Sequence, residues 1–90
     1  MEDIQTHKIM LYNDDVNSHE YIMACLIGLC KHEVVQAEQC ALIAHNKGKC
    51  EIKHGDFMDM FELKTTFDNL NIKVELERYT FLKVLLKLLS

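Results

Sequence analysis

Asn13-Asp14-Asp15 sets three oxygen-bearing side chains in a row behind an apolar run, and His45 follows thirty residues after Asp15. Two chemistries suit such a set. The Asn13 amide oxygen, the Asp14 and Asp15 carboxylates and a neutral His45 ring nitrogen could gather as acceptors around an ammonium group, whose three N–H donors call for three acceptors. Equally, Asn13 and Asp14 could satisfy turn amides while His45 is a bonded histidine near a helix end. Spacing alone leaves both readings open.

Catalysis has weaker support. Cys30 or Cys40 with His45 and Asp15 would make a nucleophile, base and orienting acid. Cys40 and His45 are five residues apart on one helix, about 500° of rotation, so they point in different directions. The chain has no Gly-rich phosphate loop, no G-x-S-x-G and no H-E-x-x-H. The four cysteines, Cys25, Cys30, Cys40 and Cys50, include no C-x-x-C pair. They read as reduced core thiols, and no ligand spacing ties them to the histidines as a zinc site. We therefore expect no enzyme, no metal and no cofactor.

The elements that must position these residues follow from periodicity. Residues 7–12 alternate as a strand, Ile9 and Leu11 against Lys8, Met10 and Tyr12. Residues 13–18 break the pattern, and Asn17 with Glu20 resembles a capping box for a helix running to about Lys31. Its buried stripe is Ile22, Leu26, Leu29 and Cys30. A second helix is expected over residues 33–47, closed by Gly48, with Val34, Ala37, Ala41, Ala44 and His45 inward. Small residues on that face let another element, or a ligand, come near the helix backbone. Residues 50–54 form a short strand. Gly55-Asp56 turns into a helix carrying Phe57, Met60, Phe61, Lys64 and Phe67, and residues 71–77 alternate as a half-buried strand.

The order β-α-α-β-α-β predicts an α+β sandwich, a three-stranded antiparallel sheet packed on helices. Residues 1–6 form a short arm, residues 7–77 the core domain, and residues 78–90 an apolar tail expected to be helical. Lys83 and Lys87 lie on one side of that tail, which suits packing or self-association better than a membrane surface.

Ninety residues make one domain with a modest core. A net charge of -4 argues against nucleic acid, which needs a basic face to neutralise phosphates. No apolar run reaches the roughly 18 residues that span a bilayer. The acidic, polar start lacks the pattern of a secretory leader, so the expected compartment is the cytoplasm.

Asn13-Asp14-Asp15, the helix after it, and residues 36–50 with their His-x-x-Gly-Lys ending together resemble ClpS. That family is the adaptor that hands N-degron substrates to the Clp AAA+ unfoldase and protease. The similarity runs over about residues 7–77, and the Ala-Glu-Gln-Cys and Gly-Lys-Cys wording is similar to ClpS of Bacteroidetes-type bacteria. A related domain occurs in eukaryotic N-recognin ubiquitin ligases.

The resemblance implies that Asn13, Asp15 and His45 hold the α-ammonium of a substrate's first residue, with Asp14 in support. It implies an apolar pocket of Ile22, Ala41, Ala44 and Ile72, framed by Asn17 and His19. The implied partners are a ClpA- or ClpC-like unfoldase and chains beginning with Phe, Tyr, Trp or Leu. Ala41 stands where many members carry methionine, which implies a deeper pocket suited to larger side chains. The alternative from another class is a structural or assembly module of the same fold that self-associates through its apolar tail.

Overall fold

The structure is a computed structural model, and it describes residues 6–79, 86, 88 and 89. Six elements follow one another as β1 (His7–Tyr12), α1 (His19–Cys30), α2 (Val34–Lys47), β2 (Lys49–Gly55), α3 (Phe57–Asn69) and β3 (Val74–Arg78). The strands form one sheet in the order β2-β1-β3, antiparallel throughout. The expected α+β architecture and element order are therefore present.

β1 is the central strand, and its alternation decides the layers. Ile9 and Leu11, at 0% and 1% exposed, turn towards the helices. They meet Leu26 of α1, Ala37 and Ala44 of α2 and Phe67 of α3 in one core. Residue 52 of β2 is extra in the register, since Ile9 pairs with Lys53 and Met10 with Glu51. A bulge of this kind bends a strand and re-aims side chains. Here Ile52 enters the core while Lys53 reaches the Cys30 carbonyl from its Nζ at 3.3 Å.

Several local expectations need correction. Ser18, rather than Asn17, caps α1, its Oγ accepting from the Tyr21 N–H at 3.1 Å. Asn17 is turned elsewhere, its Nδ2 donating to Asp14 Oδ2 and to the Asn71 carbonyl. Val34 lies outward, and Cys40 takes its place on the buried face of α2. On α3, Met60 and Phe67 are buried, one heptad apart, whereas Phe57 and Phe61 are 47% and 45% exposed. Those two rings sit off the inward stripe, packing on each other at 5.7 Å, with Phe57 edge-on to His7 at 5.2 Å.

β3 begins at Val74, later than expected, because Asn71 and Ile72 still belong to the end of α3. The Ile72 N–H returns to the Phe67 carbonyl at 3.1 Å, and Asn71 adopts the left-handed φ of 60° that asparagine tolerates. Of the apolar tail, Leu86, Leu88 and Leu89 are helical and exposed. The rest of the helical expectation there, residues 80–85, 87 and 90, and most of the N-terminal arm, residues 1–5, lie outside the described residues.

Candidate functional site

Three elements bring the acceptor residues together. β1 delivers Asn13 at its end, and the Tyr12 N–H still bonds across to the Lys73 carbonyl at 3.0 Å. The next N–H, that of Asn13, turns to the other side and donates to the Gly48 carbonyl at 2.9 Å. Gly48 closes α2 at φ 97°, a conformation that favours glycine, and its own N–H returns to the Ala44 carbonyl. The start of the acceptor run and the last turn of α2, with His45 in it, are thus bound to the same residue.

Between them lies a cavity of about 410 Å³, within the range of roughly 300–1,000 Å³ that hosts small ligands. Its lip is polar, with Asn13, Asp15, His19 and His45 all exposed. Its floor is apolar, with Ile22, Ala41 and Ala44 all below 9% exposure. The small side chains on α2 create the depth. A larger residue at position 41 or 44 would occupy this volume.

Asp14 is half-buried and does a different job from its neighbours. One carboxylate oxygen, Oδ1, accepts from the Val16 N–H at 2.8 Å and the Asn17 N–H at 3.1 Å; the other, Oδ2, accepts from Asn17 Nδ2. Partial burial by itself favours the protonated form. The Asn17 amide, the two backbone N–H groups and the charge of Lys73 outweigh that effect and hold the carboxyl below its usual range. Asn17 passes the connection on to the Asn71 carbonyl at 2.8 Å, which pins the loop to the approach of β3. The Asp15 side chain, in contrast, forms no hydrogen bond or ion pair with any described residue, and neither does the His45 ring. Two acceptors of the lip are therefore uncommitted, and one of them carries a full negative charge.

Of the ten residues singled out from sequence, nine line this cavity: Asn13, Asp14, Asp15, Asn17, His19, Ile22, Ala41, Ala44 and His45. Ile72 is not among them. It is 3% exposed and packed in the main core, because the end of α3 draws it inward before β3 begins. Leu11, Tyr12 and Leu42 complete the wall and were missed. The inward alternation of Leu11, two residues before Asn13, could have signalled the first. Leu42, at 44% exposed beside the buried Ala41, carried no periodic signal.

The cysteines take no part. All four are free, with Cys30 and Cys40 buried, and burial pushes the Cys30 thiol up to about 11. Burial, together with Cys40 and Glu51, pushes Cys50 up to about 12. Such thiols are protonated and poor nucleophiles at neutral pH. Among the described residues no three His, Cys, Asp or Glu side chains converge as metal ligands, and no helix is long and apolar enough to cross a membrane.

The architecture and the sequence both have counterparts among known proteins. The structure is similar to that of Agrobacterium tumefaciens ClpS2 bound to L-phenylalaninamide, with a TM-score of 0.70 and 16% identity over 84% of this chain and 99% of that one. At that identity the likeness speaks for the fold. A comparison with curated proteins finds no match. Residues 2–73 match the family profile described as ATP-dependent Clp protease adaptor protein ClpS. That match spans most of the sequence, and the chain belongs to the ClpS family of non-catalytic Clp protease adaptors.

Proposed function

We propose that the cavity binds the first residue of N-degron substrates, and that the protein delivers them to a ClpA- or ClpC-like AAA+ unfoldase. The observation that carries this reading is the pairing of an uncommitted polar lip with an apolar floor in one cavity. A free α-ammonium group desolvates at high cost unless charged and hydrogen-bonding partners replace its water. Asn13, Asp15 and His45 supply three acceptors, and Asp15 supplies the charge. The side chain of the same residue enters between Ile22, Ala41 and Ala44. Asn17 and His19 frame the entrance, and Asp14 holds the loop that presents Asp15.

The preferred first residues are Phe, Tyr, Trp and Leu, which fill an apolar floor without bringing unmatched polar groups. The amide bound to the Agrobacterium protein is consistent with this, since L-phenylalaninamide has a free amino group and a benzyl side chain. No covalent step is involved. Binding is selective because an unpaired polar group in a matched site costs more than a missing methylene.

The test is fluorescence titration with two peptides that differ only in a free or acetylated N-terminal Phe. Acetylation removes the charge and a donor, so only the free peptide should bind. Equal binding of both, or binding of neither, refutes the reading. Asp15→Ala supplies a second arm, with binding abolished and the unfolding midpoint little changed, since the Asp15 side chain bonds to no described residue.

A further inference from the structure

None of residues 13–18 is buried, and Val16 is 92% exposed. The loop that presents Asp15 therefore has no core contact to hold it, and hydrogen bonds must fix its direction. Its two ends are tied down, by the Asn13 N–H on the Gly48 carbonyl and by the Ser18 cap of α1. Between them, among the described residues, the side-chain bond that leaves residues 14–17 for another part of the fold is that of Asn17 to Asn71.

The Asp14 carboxylate and the Asn71 carbonyl only accept, so the Asn17 atom between them is Nδ2, and each of its two protons is taken. The Asn17 backbone N–H also goes to Asp14. Asn17 thus keeps no free N–H for a peptide at the entrance, and instead joins the loop to the turn between α3 and β3.

That turn is a firm anchor. Phe67, Ile72 and Val74 around it are at most 4% exposed. The Leu70 N–H bonds back to the Thr66 and Phe67 carbonyls, and the Asn71 N–H to the Asp68 carbonyl at 3.0 Å. The carbonyls of Leu70 and Asn71 come at a helix end, where no intrahelical donor reaches them. Residues from the other side of the molecule fill that gap. The Tyr21 hydroxyl donates to the Leu70 carbonyl at 3.1 Å, and Asn17 to that of Asn71 at 2.8 Å. With the Tyr12 N–H on the Lys73 carbonyl, three donors from residues 12–21 grip residues 70–73. None of residues 70–73 lines the cavity.

We propose that the α3–β3 turn positions the amino-group site from outside it, with Asn17 and Tyr21 as its positioning residues. Asn17 clamps Asp14 to Asn71 and so aims the neighbouring Asp15 carboxylate at the lip. Tyr21 sets the first turn of α1, where the loop ends, against the same anchor. This role presupposes that Asp15 receives the α-ammonium as proposed above. A carboxylate fixed in advance spares the ordering cost that a loose loop would meet on binding.

The experiment uses the full chain with Asn17→Ala, Asn17→Asp and Tyr21→Phe, read by ¹⁵N relaxation without ligand and by titration with the free N-terminal Phe peptide. Backbone order parameters of residues 14–17 should be about 0.85 in the parent and fall towards about 0.6 in both Asn17 variants, with those of β1 and α2 unchanged. Affinity should fall at least about fivefold in both Asn17 variants and about twofold in Tyr21→Phe. Asn17→Asp separates the readings by sign, because an added charge at the entrance would by itself draw an ammonium in more tightly. Tyr21 does not line the cavity, so its effect is not a lost contact with the peptide. Unchanged order parameters in Asn17→Ala, affinity held or raised in Asn17→Asp, or affinity unchanged in Tyr21→Phe overturns the proposal. A parent that does not bind the free peptide sinks the amino-group reading alone, and the order parameters, which need no ligand, then decide the anchoring.

Discussion

The Asn13 N–H and the Gly48 carbonyl, 2.9 Å apart, join the acceptor triplet to the helix end that carries His45. One main-chain bond thereby sets the width of the lip between Asn13 and α2. Gly48 can serve there because its φ of 97° costs glycine little.

Gly48→Ala should therefore act on both stability and binding. A Cβ at this position meets nothing within 4 Å, so the penalty is conformational and not steric. The expected loss is about 1–2 kcal/mol in urea unfolding. Affinity for a free N-terminal Phe peptide should fall with it, as the Asn13–Gly48 distance loosens. A variant as stable and as tight-binding as the parent would show that this bond does not organise the lip.

Asp14 should divide from Asp15 by pH. The carboxyl of Asp14 is held below its usual range in the folded state. A depressed acid contributes stability that is present above its unfolded value and is lost as pH falls through its folded value. The stability difference between the parent and Asp14→Asn should be full at neutral pH and shrink as the pH drops below about 4. Urea midpoints measured across that range test this. A difference independent of pH would remove the charged hydrogen bonds to Val16 and Asn17 as its source.

Ala41→Met tests the depth of the floor. The added thioether chain would occupy part of the 410 Å³ cavity beside Ile22 and Ala44. Peptides beginning with Trp or Phe should lose affinity relative to one beginning with Leu, by about tenfold if one to two methylene-sized contacts are forfeited. Thermal stability should stay the same or rise, because the cavity accepts the chain without moving the backbone. An unchanged Trp-to-Leu ratio would place the side-chain pocket elsewhere.

The thiols should be slow. With Cys30 pushed up to about 11 and Cys50 to about 12, alkylation by iodoacetamide near neutral pH should lag the unfolded chain by more than about tenfold at both residues. Mass spectrometry of timed samples reads this directly. Labelling of either residue at the rate of the unfolded chain would mean that α1 or β2 opens readily.

Much of this protein is legible without its fold. Alternation in residues 7–12, the closing Gly48 and the small-residue stripe Ala37, Ala41 and Ala44 are local patterns, and each appears in the structure where periodicity put it. Such features depend on neighbours within a turn or a strand, so sequence order is a fair proxy for space. The spacing of Asn13 to Asp15 with His45, thirty residues apart, left capping and ligand binding both open, and only the resemblance to ClpS implied a single site.

Tertiary packing decided the rest. It divided the triplet, committing Asp14 to Val16 and Asn17 and leaving the Asp15 side chain without a partner, because the loop has to satisfy its own amides. It moved the cap of α1 from Asn17 to Ser18, since Asn17 was needed to reach Asn71. It drew Ile72 into the core and left Phe57 and Phe61 outside it, because Met60 and Phe67 take the inward stripe of α3. Those outcomes depend on which residues compete for the same space and the same hydrogen bonds, and that competition exists only once distant segments have met.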